Sequence, residues 1–107
     1  MATLEDFQKI DIRVGKVIEV KDAETRKPMY LLKVDFGELG IKQAIAGIKP
    51  FYTKEEILNK KFVFAFNLEP KKIANILSEC MILAATKDDK VVVLKPERDI
   101  DTGSKVS

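Results

Sequence analysis

Short runs with apolar residues at every second position, each closed by a turn signal, confine this chain to small β architectures. Tyr30, Leu32, Val34 and Phe36 alternate with Leu31, Lys33 and Asp35, and Phe62, Phe64, Phe66 and Leu68 alternate with Val63, Ala65 and Asn67. A period of two sends successive side chains to opposite faces of a strand, so each run carries one face for a core. Phe36-Gly37-Glu38-Leu39-Gly40 closes the first of these runs with two glycines. Upstream, Ile10, Ile12 and Val14 alternate with Asp11 and Arg13; the pattern breaks at Gly15 and resumes as Val17-Ile18-Glu19-Val20. A glycine at a phase break predicts a bulge or sharp bend in a long first strand. A small closed barrel needs such a bend, because one strand must serve both halves of the curled sheet.

The remaining segments fill in the order. Thr3-Leu4-Glu5-Asp6 is a cap for a short N-terminal helix whose buried side would be Phe7 and Ile10. Residues 22–28 are polar and end on a proline, which reads as a loop. Residues 41–48 read as a third strand rich in small side chains. Thr53-Lys54-Glu55-Glu56 is a capping box, with Tyr52 and Ile57 at the staple positions of a helix of two turns or fewer. Residues 80–86 and 91–94 read as fifth and sixth strands. Ile73, Ile76, Leu77, Cys80 and Met81 fall at helical spacing, so the segment before the fifth strand is expected to be a structured loop with a helical turn. Three strands, a short helix and two further strands is the order of an OB-fold. The expected fold is therefore all-β with short helices: a five-stranded OB-fold barrel with N- and C-terminal extensions, one domain over residues 1–107. Another small barrel or a β-sandwich is the alternative.

Composition excludes much chemistry. There is no histidine and one cysteine, Cys80. Zinc sites of the usual kinds and histidine-activated nucleophiles cannot be assembled from this set. The five glycines are too scattered for a phosphate-binding glycine loop. No cofactor, no metal and no enzymatic activity are expected, with carboxylate- or lysine-based catalysis as the only enzymatic alternative. No apolar stretch approaches the ~20 residues of a membrane span, and no secretory signal is read, so a cytoplasmic location is expected. Nineteen basic against seventeen acidic residues give a net charge of only +2. A nucleic-acid site would have to come from local clustering rather than bulk charge.

The strand phases suggest where that clustering occurs. If Ile12 and Val14 face the interior, Arg13 faces out, and the same reasoning turns Lys33, Lys42 and Asn67 outward. The first hairpin loop supplies Arg26 and Lys27, and the loop before the fifth strand supplies Lys71 and Lys72. These loops and the face of strands two and three form the ligand surface of OB-folds. Lysine and arginine there would hold phosphates, while Asn67 and Ser78 could read base edges or 2′-hydroxyls and Met81 could join them in a central pocket. The competing reading is a solvated lysine pair at 71–72, charge at a helix C-terminus for Lys60-Lys61, and core filler for Met81. Phe62, Phe64 and Phe66 read as core rather than as a stacking platform.

Asp11-Ile12-Arg13-Val14-Gly15-Lys16-Val17 resembles the opening motif of the tRNA-binding domain family. Val34-Asp35-Phe36-Gly37, Asn67-Leu68-Glu69-Pro70-Lys71-Lys72-Ile73, Ser78-Glu79-Cys80-Met81-Ile82-Leu83-Ala84-Ala85 and Gly103-Ser104-Lys105-Val106 match its later blocks in order. The family includes the C-terminal domain of methionyl-tRNA synthetase, the free-standing Trbp-type proteins and the CsaA proteins. Arg26-Lys27-Pro28 and Ser78-Glu79 are similar to the CsaA type, whereas Ala46-Gly47-Ile48 is similar to the synthetase type. The resemblance implies binding of folded tRNA by backbone and shape; with the outward strand phases and the loops, the expected site is Arg13, Lys27, Lys33, Lys42, Asn67, Lys71, Lys72, Ser78 and Met81. It also implies two alternatives: an export-related chaperone binding unfolded polypeptides, or a detached subunit serving an aminoacyl-tRNA synthetase. Val91-Val92-Val93-Leu94 is apolar on both phases, which predicts burial on both faces and, with the resemblance, a homodimer joined there. A hairpin turning at Asp88-Asp89 is the alternative for that segment.

Overall fold

The computed structural model describes residues 1–107. Its organising strand is β1 (Ile12–Ala23), which pairs antiparallel with β2 (Met29–Asp35) and with β4 (Lys61–Ala65). β2 pairs β3 (Ile41–Ala46), and β4 pairs β7 (Met81–Ile82), giving the strand order β3-β2-β1-β4-β7. The helix α2 (Lys54–Ile57) lies between β3 and β4 in the chain, capped by Thr53 and Glu56 in the reciprocal manner its sequence predicts. This is the five-stranded OB-fold barrel with short helices. Leu32, Val34 and Phe36 of the second apolar run are fully buried beside Phe64 and Ile57. Phe36 meets Phe64 edge-on at 5.5 Å between ring centroids.

The phase of β1 is the reverse of the sequence expectation. Arg13 lies opposite Phe64 and Gly15 opposite Phe62 in the ladder, and directly opposed residues share a face. Phe62 and Phe64 are core, so Arg13, Gly15 and Val17 form the inner set while Ile12 and Val14 point to the other face. A Cβ on Gly15 would come within 2.5 Å of Val34 Cγ1 and 2.7 Å of Phe36 Cε1. Gly15 is therefore a place where core side chains press on the backbone, not a bulge. The register shift falls between Val17 and Glu19 instead. There Ile18 is the extra residue, and it re-phases the strand so that Val20 returns inward beside Leu32.

The C-terminal extension closes the free edge of β1 beside Ile12 and Val14. β10 (Lys105–Val106) pairs with Ile12 and Arg13, occupying the side of β1 that β2 leaves free. The Val14 N–H donates to Ser104 O at 2.9 Å, and the Gly103 N–H donates to Val14 O at 2.7 Å. Gly103 has φ +86°, and a Cβ there would lie 2.4 Å from Phe36 O. Only glycine fits that close approach.

Other expectations change as well. β1 and β2 extend to the pair Ala23–Met29, so the loop shortens to residues 24–28. The segment read as a loop with a helical turn is a hairpin, β5 (Lys71–Ile73) with β6 (Ile76–Ser78). Its turn residues Ala74 and Asn75 both have positive φ, 51° and 66°, the signature of a two-residue type I′ turn. The fourth strand ends at Ala65, short of Leu68. The fifth is divided at Leu83: β7 joins the barrel, and β8 (Ala84–Lys87) forms a separate hairpin with β9 (Lys90–Val93) across Asp88-Asp89. Within the chain β9 is buried on one face only. Val93 is buried, but Val92 is 54% exposed and Leu94 42%. The helix α1 (Leu4–Gln8) forms with its capping box, yet Phe7 and Ile10 stay exposed rather than buried.

Closure of the barrel depends on side chains. β3 and the chain leading into β7 share one backbone bond, from the Glu79 N–H to Gln43 O at 2.9 Å. The free N–H groups of β3 are taken by side chains: Gln43 N–H donates to Glu79 Oε1 at 3.1 Å, and Ile45 N–H to Ser78 Oγ at 3.0 Å. Gln43 Nε2 reaches back to Leu77 O at 2.8 Å. The edge of β3, which would otherwise present unpaired donors, is thereby sealed.

The inner phase of β1 is directly testable. Gly15→Ala should lower unfolding stability by about 1–3 kcal/mol through overpacking against Val34 and Phe36, read as a lower urea midpoint. A variant as stable as wild type would return Gly15 to a bulge and Arg13 to the outer face.

Candidate nucleic-acid interface

The clasp on β3 holds a basic hairpin against the outer face of the barrel. Ser78 bonds Ile45 and lies opposite Lys71 in the β5–β6 ladder, and Leu77, whose carbonyl receives Gln43 Nε2, lies opposite Lys72. Across the barrel wall Gln43 is opposite Lys33, and Ile45 is opposite Leu31. Lys33, Lys71 and Lys72 are thus tied together through neighbouring register positions of β2, β3 and β6. Lys27 stands in the loop that precedes β2. All four lysines are exposed. Lys33 faces outward as expected and makes a 3.6 Å ion pair with Glu19, half-open to solvent; such exposed pairs contribute little and yield readily to a stronger anion.

The other expected polar site residues are engaged within the protein, and Met81 is not. Arg13, on the inner phase at the mouth of the barrel, donates from Nε to Asp11 Oδ1 at 2.7 Å and from Nη1 to Gly103 O at 3.1 Å. Lys42 lies opposite Val34 and so also belongs to the inner set, not the outer. Its Nζ donates to Phe66 O at 3.0 Å and sits 3.8 Å from the centroid of the Phe66 ring, a cation–π contact. Asn67 is exposed, but both ends of its amide are used: Oδ1 accepts from the Asp11 N–H at 2.7 Å, and Nδ2 donates to Lys9 O at 2.9 Å. It fastens the N-terminal segment to the end of β4. Ser78 Oγ serves Ile45 and donates to Cys80 O at 3.4 Å. Met81 is exposed on β7, opposite Ala65. Neither of the two main clefts is lined by Asn67, Ser78 or Met81.

Gln43 and Glu79 are the participants that sequence reasoning passed over. Their signal was faint: a glutamine in an otherwise small-residue strand and a carboxylate directly after Ser78. Cys80 lies behind this clasp, 3% exposed. Burial, reinforced by Glu79 and opposed by Lys42, pushes its thiol up to about 12, so it stays protonated and is no nucleophile near neutrality. At the far end of β1, Asp22 is held below the usual carboxylate range by hydrogen bonds from Lys49 and then Lys54, both at 3.1 Å. That pair steadies α2 against the first hairpin.

The family model described as "Putative tRNA binding domain" matches residues 12–105. The chain belongs to the tRNA-binding domain family. The methionine–tRNA ligase of Pyrococcus horikoshii is 44% identical to it over 102 residues, 95% of this chain and 14% of the ligase. The chain thus spans about one seventh of the length of that relative. The CsaA chaperone protein of Picrophilus torridus is 44% identical and superposes with a TM-score of 0.93, covering 100% of both chains. A MetRS-related protein from Pyrococcus horikoshii, 30% identical, gives 0.92 over 100% of this chain and 98% of its own. The barrel with its terminal extensions is thus shared with solved chains of this length, and its sequence with a segment of a methionine–tRNA ligase.

Proposed function

We propose that the outer face of β2 and β3, with the β5–β6 hairpin, binds folded tRNA through its phosphate backbone and shape. The observation that carries this reading is the pair Lys71 and Lys72, exposed on a hairpin whose other strand is fastened to β3 by Ser78, Leu77 and Glu79. Cations on both faces of this anchored hairpin, with exposed Lys33 on β2 and Lys27 in the loop before it, suit contacts to a phosphate backbone. Arg13, Lys42, Asn67 and Ser78 act in this account as the framework that fixes the face, and Met81 adds an exposed apolar contact at its border. The chain works as one module over residues 1–107, without cofactor or catalysis of its own, in the cytoplasm. The methionine–tRNA ligase relatives support delivery of tRNA to such a synthetase in trans.

The chaperone reading takes its support from the CsaA protein of Picrophilus torridus. It would require an apolar trough for an unfolded polypeptide. The open cleft between the start of β4 and the end of β9 has only four hydrophobic residues among its 14, which favours the nucleic-acid reading. The open outer face of β9, with Val92 and Leu94, together with exposed Leu4 and Phe7 of α1, supports a homodimer. Two basic faces on one particle would raise avidity for a large folded RNA.

Titrating tRNA against salt separates these ideas. Lys71→Ala/Lys72→Ala should bind more weakly, and the slope of log affinity against log salt should become shallower by about two. An unchanged slope in the folded variant removes the hairpin from the interface, and equal affinity of the wild type for an unfolded polypeptide and for tRNA would favour the chaperone. For the dimer, light scattering on Leu94→Asp, a position open to solvent within one chain, should give monomers from a dimeric parent. A monomeric parent at tens of micromolar contradicts it.

A further inference from the structure

A second cleft lies away from the hairpin face. None of its lining residues belongs to β2, β3, β5 or β6; it is bounded by the start of β4, the end of β9 and the segment that follows. Its volume is about 840 Å³ and it is open to solvent. Five cations line it: Lys16, Lys60, Lys61, Lys95 and Arg98. Three carboxylates accompany them. Glu56 is engaged in the α2 capping box, Glu97 pairs with Arg98 at 3.3 Å, and Asp99 pairs with Lys61 at 2.8 Å. Lys16, Lys60 and Lys95 have no ion-pair partner.

Two features show that this is more than a solvated charged surface. Lys16 and Lys61 are directly opposed in the β1–β4 ladder, an arrangement that repels and costs stability. Asp35, on the other flank of Lys16, makes no ion pair with it; its carboxylate is turned to the Gly37 N–H, from which it accepts at 2.8 Å. The one carboxylate that answers the opposed lysines is Asp99, which is 88% exposed. Its carboxyl is held below the usual range, first by Lys61 and also by Lys16. A lone exposed carboxylate against two lysines leaves the cleft short of negative charge. Nor does helix charge account for Lys60, since α2 is only four residues long and has almost no macrodipole to complement.

We propose that this cleft is a second phosphate-binding site, taking the phosphodiester backbone of an RNA strand, with Asp99 standing where a phosphate would sit. The proposal rests on the reading that the chain binds RNA, and adds a second contact to it. A strand fits better than a small molecule, because the cleft is open and no polar or charged side chain in the protein is buried to orient a compact ligand. The unpaired lysines instead line the cleft from separate elements, one on β1, one at the entry to β4 and one beyond β9. A bound strand would displace Asp99 from Lys61 and leave that carboxylate in water, where its exposure makes it at home.

Tests use the full chain and tRNA binding against salt. Lys60→Gln/Lys95→Gln alters exposed side chains and should weaken binding several-fold, with the salt slope shallower by about two, additional to the hairpin variant. Asp99→Asn should bind several-fold more tightly than wild type, a gain that loss of a merely structural ion pair would not produce. Wild-type binding by Lys60→Gln/Lys95→Gln overturns the site, and no gain in Asp99→Asn overturns the role of that carboxylate. Should the wild type fail to bind tRNA, a titration with sodium tripolyphosphate followed by amide NMR decides separately. Shifts at residues 59–61 and 95–99 would keep the phosphate site and discard the RNA reading, whereas their absence would discard both.

Discussion

The hydrogen bonds that the side chains of Ser78 and Glu79 accept from the edge of β3 are the constraint on which the rest of this protein depends. A five-stranded barrel must join its third strand to its last, and here the last strand is a two-residue segment, Met81–Ile82. It is too short to pair along β3. The N–H groups of Gln43 and Ile45 are therefore satisfied by a carboxylate and a hydroxyl from the preceding turn. Because Ile45 is buried, leaving its N–H without a partner would cost about 1–3 kcal/mol. The same residues that close the barrel form the foot of the β5–β6 hairpin. Fold stability and the placement of Lys71 and Lys72 thus rest on one set of contacts.

A division of labour among polar residues follows. Asn67, Ser78, Lys42 and Arg13 have the residue types expected of ligand contacts, and each is committed to backbone carbonyls, backbone N–H groups or an aromatic ring. Every site lysine that stays outward, namely Lys27, Lys33, Lys71 and Lys72, is exposed. A surface built this way anchors the backbone that carries its cations without burying any of them, which suits contact with phosphates more than reading of a base sequence.

Much of the fold was legible because its signals are local. The capping boxes at Thr3 and Thr53 satisfy N–H groups three residues away, and both appear as read. The alternation from Tyr30 to Phe36 reports a strand with one face in the core and the other in water. The first strand misled because its two faces invert that rule. Its inner set contains a charged residue at the barrel mouth and Gly15, which shows no side chain at all, while apolar Ile12 and Val14 lie on the other face beside Ala65 and Val63. The β5–β6 hairpin was missed because its turn is Ala74-Asn75 rather than the Asn-Gly that marks type I′ turns. Its apolar residues also happen to fall at helical spacing. Within the candidate site the lysines could be listed from the sequence. What Asn67 and Ser78 bond to could not, since their partners lie 56 and 33 residues away.

The account therefore turns on whether Ser78 acts through Ile45 or on the ligand. Hydrogen exchange at the Ile45 amide, measured alongside the salt dependence of tRNA binding in Ser78→Ala, decides this most directly. Loss of the clasp should speed exchange at Ile45 and weaken tRNA binding together, with the salt slope unchanged because no phosphate contact has been removed. Weakened binding with Ile45 still protected would make Ser78 a direct ligand contact and contradict the account.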